Sequence, residues 1–373
     1  MNTLELRERC AAQLLAGAGR AGQMTAFIGL DGFVDEILHV VDKRESTLTY
    51  SRLATIGGLA ERLAAAAGRS TNVELVSLMT KLGGNGPIMA NSLASFGLKV
   101  TYLGVLGYPN VHQVFADFAS RAQVHSIAEP GYTDALEFED GKIMLGKHES
   151  LKQMNWGNIK ARFGLEKFAA HFGTADLVGF VNWTMLTSMS DIWSAVLQEI
   201  CPIMQGPRRK LFFDLADPEK RTRTDLQGAL ELITAFQKYF DVILGLNQKE
   251  GDEIATTLGL KSGDDSPEGL LRLCQDIYRL LQVDSVVVHP TAYAVASGPD
   301  GSEIVQGPFE SKPKITTGAG DHFNSGFCLG KLLGLSTELC LLSGVTTSGF
   351  YVRTSRSPTM TDLGQMLRNW PRG

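Results

Sequence analysis

The feature that most constrains the fold of this 373-residue chain is an alternation of short apolar runs with longer amphipathic stretches. Seven short runs rich in β-branched and aromatic residues predict strands: TAFIGL, VELVSLM, VTYLGVLG, ADLVGFVN, KLFFDLA, DVILGLN and SVVVHP. Between them lie stretches typical of helices: Leu59–Ala67, Ile88–Phe96, Val111–Ala122, Met189–Ile200 and Asp225–Tyr239. Strands buried on both faces and joined by helices are typical of a mostly parallel sheet. The chain is therefore predicted to form a three-layer αβα domain.

Two segments break this alternation and predict a second, smaller sheet. Residues of about 35–56 and 131–153 are richer in Thr, Glu and Lys, and they partly alternate apolar with polar side chains. Within DALEFEDGKIMLGKH, the pair Asp140-Gly141 is a strong hairpin turn signal. Because no repeat, low-complexity tract or Pro-rich linker occurs, residues 1–373 are predicted to form one domain that carries this β insertion. After Ile315, the pattern predicts only helices: His322–Leu333, Thr337–Tyr351 and Met360–Asn369.

Charge and composition restrict the partners. The net charge is -5, and Lys and Arg are scattered along the chain, which argues against nucleic acid or an anionic membrane and favours a small-molecule ligand. No apolar run of about 18 residues occurs, and the N-terminus lacks the apolar core of a signal peptide, so a cytoplasmic protein is expected. The five cysteines have no metal-binding spacing and are expected to be reduced thiols.

The segment KPKITTGAGDHFNSGF allows two interpretations. Gly318, Ala319, Gly320 and Asp321 could form an ordinary helix start, in which the acid accepts unpaired backbone N–H groups. Alternatively, the three amides could bind an anion such as a phosphoryl group, and Asp321 could accept a proton from an attacking hydroxyl. The segment is neither a Walker A loop nor a GxGxxG motif.

TTGAGDHFNSGF resembles the C-terminal signature of the ribokinase-like carbohydrate kinases of the phosphofructokinase B type. The resemblance implies that Asp321 is the general base and that the turn 318–320 stabilises the transferred phosphoryl group. It also implies that Thr317 and Asn324, within the same signature, belong to the nucleotide site. The implied fold is a ribokinase-like αβα domain with a small β-sheet lid, which the segments 35–56 and 131–153 would form.

Other motifs occur in the order of this family. KLGGNGPIMANSLASFG resembles the double-glycine signature, which implies that Gly83, Gly84 and Asn85 contact the sugar. IGLDGFVDEI resembles the first strand, whose terminal acid binds hydroxyls of the acceptor; Asp35 matches this position best, and Asp31 is the second candidate.

Two motifs resemble the phosphate side of the family's site. LNQKE resembles the NxxE motif, which implies that Asn247 and Glu250 organise Mg²⁺ near ATP, with Glu250 acting through water. FFDLADPEKR is similar to the strand leading to the phosphate-side loop, with Asp214 as its aligned acid.

Three positions depart from the family pattern. Ile315 replaces an Asp associated with a monovalent cation site, so activation by potassium is not expected. Ile88 replaces an Asn in the double-glycine motif, which leaves Asn85 or Asn91 to contact the sugar. The loop 289–294 replaces TxGxxG near the nucleotide.

The resulting prediction is a Mg²⁺-dependent kinase that transfers the γ-phosphoryl group of ATP to a hydroxyl of a sugar or a sugar-like molecule. Alternatives are a nucleoside kinase of the same fold and a sugar or nucleotide sensor with weak turnover. The lid strands could also pair two copies of the chain in a homodimer.

Overall fold

The computed structural model describes residues 3–261, 264 and 266–371, and these residues form two sheets surrounded by helices. The strands are β1 (Thr25–Gly29), β2 (Phe33–Arg44), β3 (Tyr50–Arg52), β4 (Leu75–Gly83), β5 (Lys99–Gly104), β6 (Gln123–Ser126), β7 (Gly131–Glu137), β8 (Lys142–Lys147), β9 (Leu177–Phe180), β10 (Arg209–Asp214), β11 (Phe240–Leu246), β12 (Ser285–Val288), β13 (Tyr293–Gly298) and β14 (Gly301–Gln306). The α-helices are α1 (Leu4–Ala21), α2 (Ile56–Ala65), α3 (Asn85–Ser95), α4 (Ala116–Ala119), α5 (Trp156–Asn158), α6 (Leu165–Thr174), α7 (Met189–Glu199), α8 (Arg223–Phe236), α9 (Gln248–Thr257), α10 (Pro267–Leu281), α11 (Ala319–Leu333), α12 (Thr337–Thr354) and α13 (Met360–Arg368).

The main sheet has nine strands in the order β14-β13-β12-β11-β10-β9-β1-β5-β6. The strands from β12 to β6 pair in parallel, and only β13 and β14 are antiparallel. Alternate side chains of one strand enter separate cores: Phe27 packs on one face, whereas Ala26 and Ile28 pack on the other. Because both faces are buried under helices, the predicted three-layer αβα architecture is confirmed.

The second sheet has five strands and covers the carboxyl ends of the main strands. Its order is β3-β2-β7-β8, and β4 pairs with the long strand β2. Helix α2 closes a small core of its own on this sheet, which contains Leu38, Leu59, Leu136 and Phe138. We call this five-stranded sheet the lid. The hairpin β7–β8 turns at the predicted Asp140-Gly141, where Glu137 pairs with Lys142.

The lid differs from its predicted extent. VELVSLM was predicted as a buried parallel strand, but it contributes to β4, which pairs antiparallel with β2 and is largely exposed. A short apolar run does not distinguish a buried strand from an amphipathic lid strand, since both place β-branched residues on a sheet surface. The lid also begins at Phe33, and the segment after His148 is a 3₁₀ helix, Glu149–Gln153, instead of a strand.

The helices at the C-terminus agree with the sequence pattern, and one earlier helix does not. The three predicted C-terminal helices appear as α11, α12 and α13. The predicted helix Val111–Ala122 shrinks to a 3₁₀ turn, Gln113–Phe115, followed by the four-residue α4. All five cysteines are buried free thiols. Within the described part of the chain, no helix has the length and apolar character needed to cross a bilayer.

Candidate active site

Polar side chains follow five neighbouring strands of the main sheet, at the points where these strands end. Asp31 follows β1, Asn182 follows β9, Asp214 ends β10, Asn247 follows β11 and His289 follows β12. The carboxyl ends of parallel strands meet at one edge of a sheet, which is where ligands bind in open α/β folds. The lid lies over this same edge, because its strand β2 follows β1 after three residues.

The glycine turn opens helix α11 at this edge. Gly318 is the N-cap residue and has a left-handed backbone (φ 92°), which glycine adopts without a steric penalty. The amide of Ala319 donates to the carbonyl of Thr316 (3.1 Å), so the prediction that three amides are free is wrong for this one. For the amides of Gly318 and Gly320, no acceptor lies in hydrogen-bonding range among the described residues. Two amides and the helix N-terminus therefore remain for an anion.

Asp321 occupies the first turn of α11 and is only 7% exposed. The side-chain amide of Asn85 donates to its Oδ1 (3.0 Å). Burial raises the pKa of Asp321 to about 8; the hydrogen bond from Asn85 acts in the opposite direction, and the charges of Asp31 and Glu250 add to the rise. A carboxylate with a pKa near the working pH has the basicity that a general base requires.

Asp31 holds the double-glycine loop in place. Its Oδ1 accepts from the Gly86 amide (2.8 Å), and its Oδ2 accepts from the Asn85 amide (3.0 Å) and the Asn182 side chain (2.7 Å). The side chain has no exposed surface, and burial raises its pKa to about 6. Asp31 lines neither of the two cavities described below, and its three hydrogen bonds anchor the loop.

Asp35 lies on the lid and, like Asp31, lines neither of the two cavities described below. In β2 it is two residues from Phe33, so both side chains project from the same face of the lid. Its strand partners are Lys81 on β4 and Thr133 on β7. Burial raises the pKa of Asp35, and the charge of Lys81 and a hydrogen bond with Thr133 oppose this. A Cβ at position 83 would overlap the Asp35 carboxylate, so glycine fits there without a clash.

Asp214, Glu250 and Asp321 form an acid cluster beside the glycine turn. Asp214 accepts from the Ala216 amide (2.8 Å) and from the Asn324 side chain (2.9 Å). Glu250 forms a capping box with Asn247 at the start of α9, and its other oxygen accepts from the Asp217 amide (2.8 Å). Burial raises the pKa of Asp214 well above its usual value, and the charges of Glu250 and Asp321 raise it further. The charges of the neighbouring acids thus oppose the ionisation of Asp214, which favours a cation beside them.

Two cavities meet at Asp321. The first, of about 650 Å³, lies between the glycine turn, helix α12 and the loop 307–313. The second, of about 460 Å³, lies under the lid and is lined by Phe33, Thr133 and Met144. Six residues line both cavities: Asn85, Ala216, Asn247, Glu250, Gly318 and Asp321. We call them the outer cavity and the lid cavity.

The predicted site residues take different positions around these cavities. The turn 318–320 lines the outer cavity, whereas Gly84 and Thr317 line the lid cavity. Asn324 is buried behind the wall and lines neither cavity; it holds Asp214. Asn91, the alternative to Asn85, bonds Ser357 and also lies outside both cavities.

The sequence profile of a family described as prokaryotic ketohexokinase matches residues 2–370 of the chain. The chain belongs to the prokaryotic ketohexokinase family. A ketohexokinase from Haloferax volcanii is 30% identical over 337 residues, which are 90% of this chain and 88% of the relative. The chain is thus an ATP-dependent carbohydrate kinase, and the predicted reaction class is confirmed.

Solved structures place this ketohexokinase-family chain in the ribokinase-like fold. A nucleoside kinase from Methanocaldococcus jannaschii, an archaeal member of the ribokinase family, superposes with a TM-score of 0.60 and 15% identity over 92% of this chain and 98% of the other. Ribokinase from Arabidopsis thaliana, solved with ribose and ATP, gives 0.61 and 14% over 92% and 98%. Ribokinase from Thermotoga maritima gives 0.57 and 15% over 93% and 99%. At these identities the likeness establishes the fold, which the motifs had predicted.

Sequence motifs did not identify several residues that line the lid cavity of this ketohexokinase-family chain. His148, Met185, Asp217 and Lys220 are among them. A conformational signal marks this wall of the cavity: Asn182, Ala216 and Asp217 have positive φ values of 62°, 55° and 67°, and all three line the lid cavity. Strained backbone at non-glycine residues concentrates at ligand sites, but it is visible only in a structure.

Proposed function

We propose that this chain transfers the γ-phosphoryl group of ATP to a hydroxyl of a ketohexose such as fructose, with Asp321 as the general base. The observation that carries the proposal is the pair of cavities that meet at Asp321. Phosphoryl transfer needs two ligands whose reacting atoms approach at one point beside a proton acceptor and an anion site. The shared wall between the lid cavity and the outer cavity supplies both, in Asp321 and the amides of the glycine turn.

The lid cavity suits an uncharged acceptor. Asp217, Glu250 and Asp321 contribute carboxylates, and Lys220, the cation among its lining residues, is paired with Asp217 (2.8 Å). Burial lowers the pKa of His148, which favours its neutral form. A phosphorylated sugar would bring a phosphate dianion beside these carboxyl groups, whereas a free sugar brings only hydroxyls. The name of the Haloferax volcanii relative supports a ketohexose in particular.

In this proposal the chain's own residues orient the reactants. Asp35 and the Gly83–Gly84 loop bind hydroxyls of the sugar, and Asn85 holds Asp321 so that its free oxygen faces the attacking hydroxyl. Asp321 accepts the proton of that hydroxyl, while the amides of the glycine turn donate to the oxygens of the transferred group.

The acid cluster fits Mg²⁺, since carboxylate oxygens are its preferred protein ligands and the mutual repulsion of Asp214, Glu250 and Asp321 favours a cation. Asp214 and Glu250 would hold the ion through water, with Asn247 beside them. When bound, Mg²⁺ neutralises charge on the nucleotide phosphates.

The homodimer through the lid stays a prediction, and the lid carries a suitable surface. Besides Met144, which lines the lid cavity, four large apolar side chains are exposed by 40–53% on β4 and β8: Leu75, Leu78, Met79 and Leu145.

The acceptor is tested by measuring ATP consumption with a panel of acceptors. Fructose should be phosphorylated with a kcat/KM at least about 100-fold above those for ribose, adenosine, inosine and 2-keto-3-deoxygluconate, because the cavity walls must fit one ring size and hydroxyl pattern. Fructose 6-phosphate should be a poor substrate. Preferential turnover of adenosine would favour a nucleoside kinase, and ligand binding without turnover of any acceptor would favour a sensor.

The Asn85 amide is expected to set the acid limb of the pH profile. Burial raises the pKa of Asp321 to about 8, so the active carboxylate form is lost as the pH falls through that value. Removing the amide donor in Asn85→Ala should raise this pKa further and move the acid limb of kcat/KM upward by about one pH unit. Asn91→Ala, on the same helix but outside both cavities, serves as the control. An unshifted profile in Asn85→Ala would contradict the assignment of Asp321 as base.

A further inference from the structure

His289 is a histidine at the nucleotide side of the site that the mechanism above does not use. It follows β12 and lines the outer cavity beside Asn247, Gly320 and Phe323. Its backbone amide donates to the carbonyl of Leu246 (2.9 Å), which fixes the start of the loop to the main sheet. The imidazole is therefore presented from the same sheet edge as the acid cluster.

The imidazole ring of His289 packs against the glycine turn and the start of α11. It packs on the ring of Phe323 with 4.5 Å between centroids, and a Cβ built on Gly320 would lie 3.3 Å from its Cε1 atom. A larger residue at 320 would therefore crowd the imidazole. The packing leaves the ring little freedom to turn away from the cavity.

The Nε2 atom of this ring is buried, and it has no hydrogen-bond partner among the described residues. His322 shows the contrast: its Nδ1 contacts the carbonyl of Gly318 (2.7 Å) and its Nε2 contacts Ser357 Oγ (2.9 Å). A buried polar atom without a partner is unfavourable, and a ligand in the outer cavity would satisfy it.

The surroundings indicate the chemistry of that ligand. Burial lowers the pKa of His289 to about 4, and a hydrogen bond with its own backbone acts in the opposite direction, so the ring is neutral at physiological pH. A neutral imidazole carries one proton, and the tautomer with this proton on Nε2 is a donor there. The neighbouring amides of Gly318 and Gly320 also need an acceptor, and they lie at a helix N-terminus. All three residues line the outer cavity, and several donors along one cavity suit an oxyanion with several oxygens.

We propose that the Nε2–H of His289 donates a hydrogen bond to a phosphate oxygen of the bound nucleotide and positions the polyphosphate on the glycine turn. This inference rests on the proposed function. It gives the loop 289–294 a side-chain donor where the family pattern TxGxxG has a glycine-rich backbone.

The test compares two variants of similar size in calorimetric titrations with ATP and Mg²⁺, without sugar. His289→Leu keeps the packing on Phe323 but removes the donor, and it should weaken ATP binding and raise the KM for ATP by about 10-fold to 100-fold. His289→Gln carries an amide N–H near the position of Nε2, and it should restore affinity to within about threefold of the wild type. The KM for fructose should change little in both.

Comparing titrations with adenosine and with ATP identifies the group that His289 contacts. If Nε2 contacts phosphate, His289→Leu should lose affinity for ATP while binding of adenosine is unchanged. An equal loss for adenosine and ATP would overturn the proposal in favour of a contact to the base or the ribose. A merely structural role predicts that leucine is tolerated and glutamine is not, which would overturn it as well.

Controls separate this inference from the proposed function. His171→Gln, on α6 at the opposite edge of the sheet, should leave ATP binding unchanged, and thermal unfolding reports whether each variant is folded. Unchanged ATP affinity in folded His289→Leu, with fructose still phosphorylated by the wild type, would overturn this inference alone. A wild type that bound no ATP would overturn both.

Discussion

Asp321→Asn is expected to reduce kcat for sugar phosphorylation by about a thousandfold, within the range of 10²–10⁴ that a positioned general base contributes. The asparagine side chain has nearly the same shape and can still accept from the Asn85 amide, which donates to Oδ1 at 3.0 Å in the structure. What it lacks is the ability to take the proton of the attacking hydroxyl. Steady-state kinetics with saturating ATP and fructose measure the effect.

The substitution should not unfold the protein, which makes the kinetic result interpretable. Burial raises the pKa of Asp321 to about 8, so the native state loses stability as the carboxyl ionises with rising pH. A neutral asparagine avoids this loss, and the unfolding temperature of the variant above pH 8 should equal or exceed that of the wild type. ATP affinity should also be kept. Near-full turnover in Asp321→Asn would show that another group accepts the proton.

The glycine turn could be predicted from sequence because it is local. Gly318, Gly320 and Asp321 are adjacent in the chain, so the motif itself contains the geometry of a helix start. Even so, the motif alone did not show that the amide of Ala319 donates a hydrogen bond to the carbonyl of Thr316. That bond depends on how the preceding loop closes.

Contacts between distant segments could not be predicted in the same way. Asn324 and Asp214 are 110 residues apart, and only the packing of α11 against the end of β10 brings them together. The resemblance had assigned Asn324 to the nucleotide site, whereas the structure shows it supporting an acid behind the wall. The prediction for β4 was wrong for a related reason, because its pairing with β2 is set by the lid and not by its own composition.

Asp31 and Asp35 show how the fold separates two acids of one motif. Both acids lie in one motif four residues apart, and the sequence favoured Asp35 without excluding Asp31. In the structure a loop separates them: Asp31 ends the main-sheet segment, and Asp35 enters the lid opposite Lys81 and Thr133. The carboxylate of Asp31 thus holds the double-glycine loop, whereas that of Asp35 lies within the lid sheet.

Asp31→Ala is therefore expected to destabilise the fold by about 3–5 kcal/mol at pH 5, because it leaves three buried donors without an acceptor. These donors are the amides of Asn85 and Gly86 and the side chain of Asn182. Since burial raises the pKa of Asp31 to about 6, its ionisation weakens the native state as the pH rises through 6, and the loss should be smaller at pH 8. Chemical denaturation at the two pH values measures both effects.

Asp35→Ala is the matched comparison, because it removes an equally large acid from the same motif. The variant should stay folded with an unfolding temperature near that of the wild type, while the KM for fructose rises by about 10-fold or more through the loss of hydrogen bonds to sugar hydroxyls. If instead Asp31→Ala were stable with only a raised KM, and Asp35→Ala were unfolded, the two roles would have to be exchanged. The acceptor would then lie against the main sheet below the double-glycine loop, and the lid would serve only to exclude water.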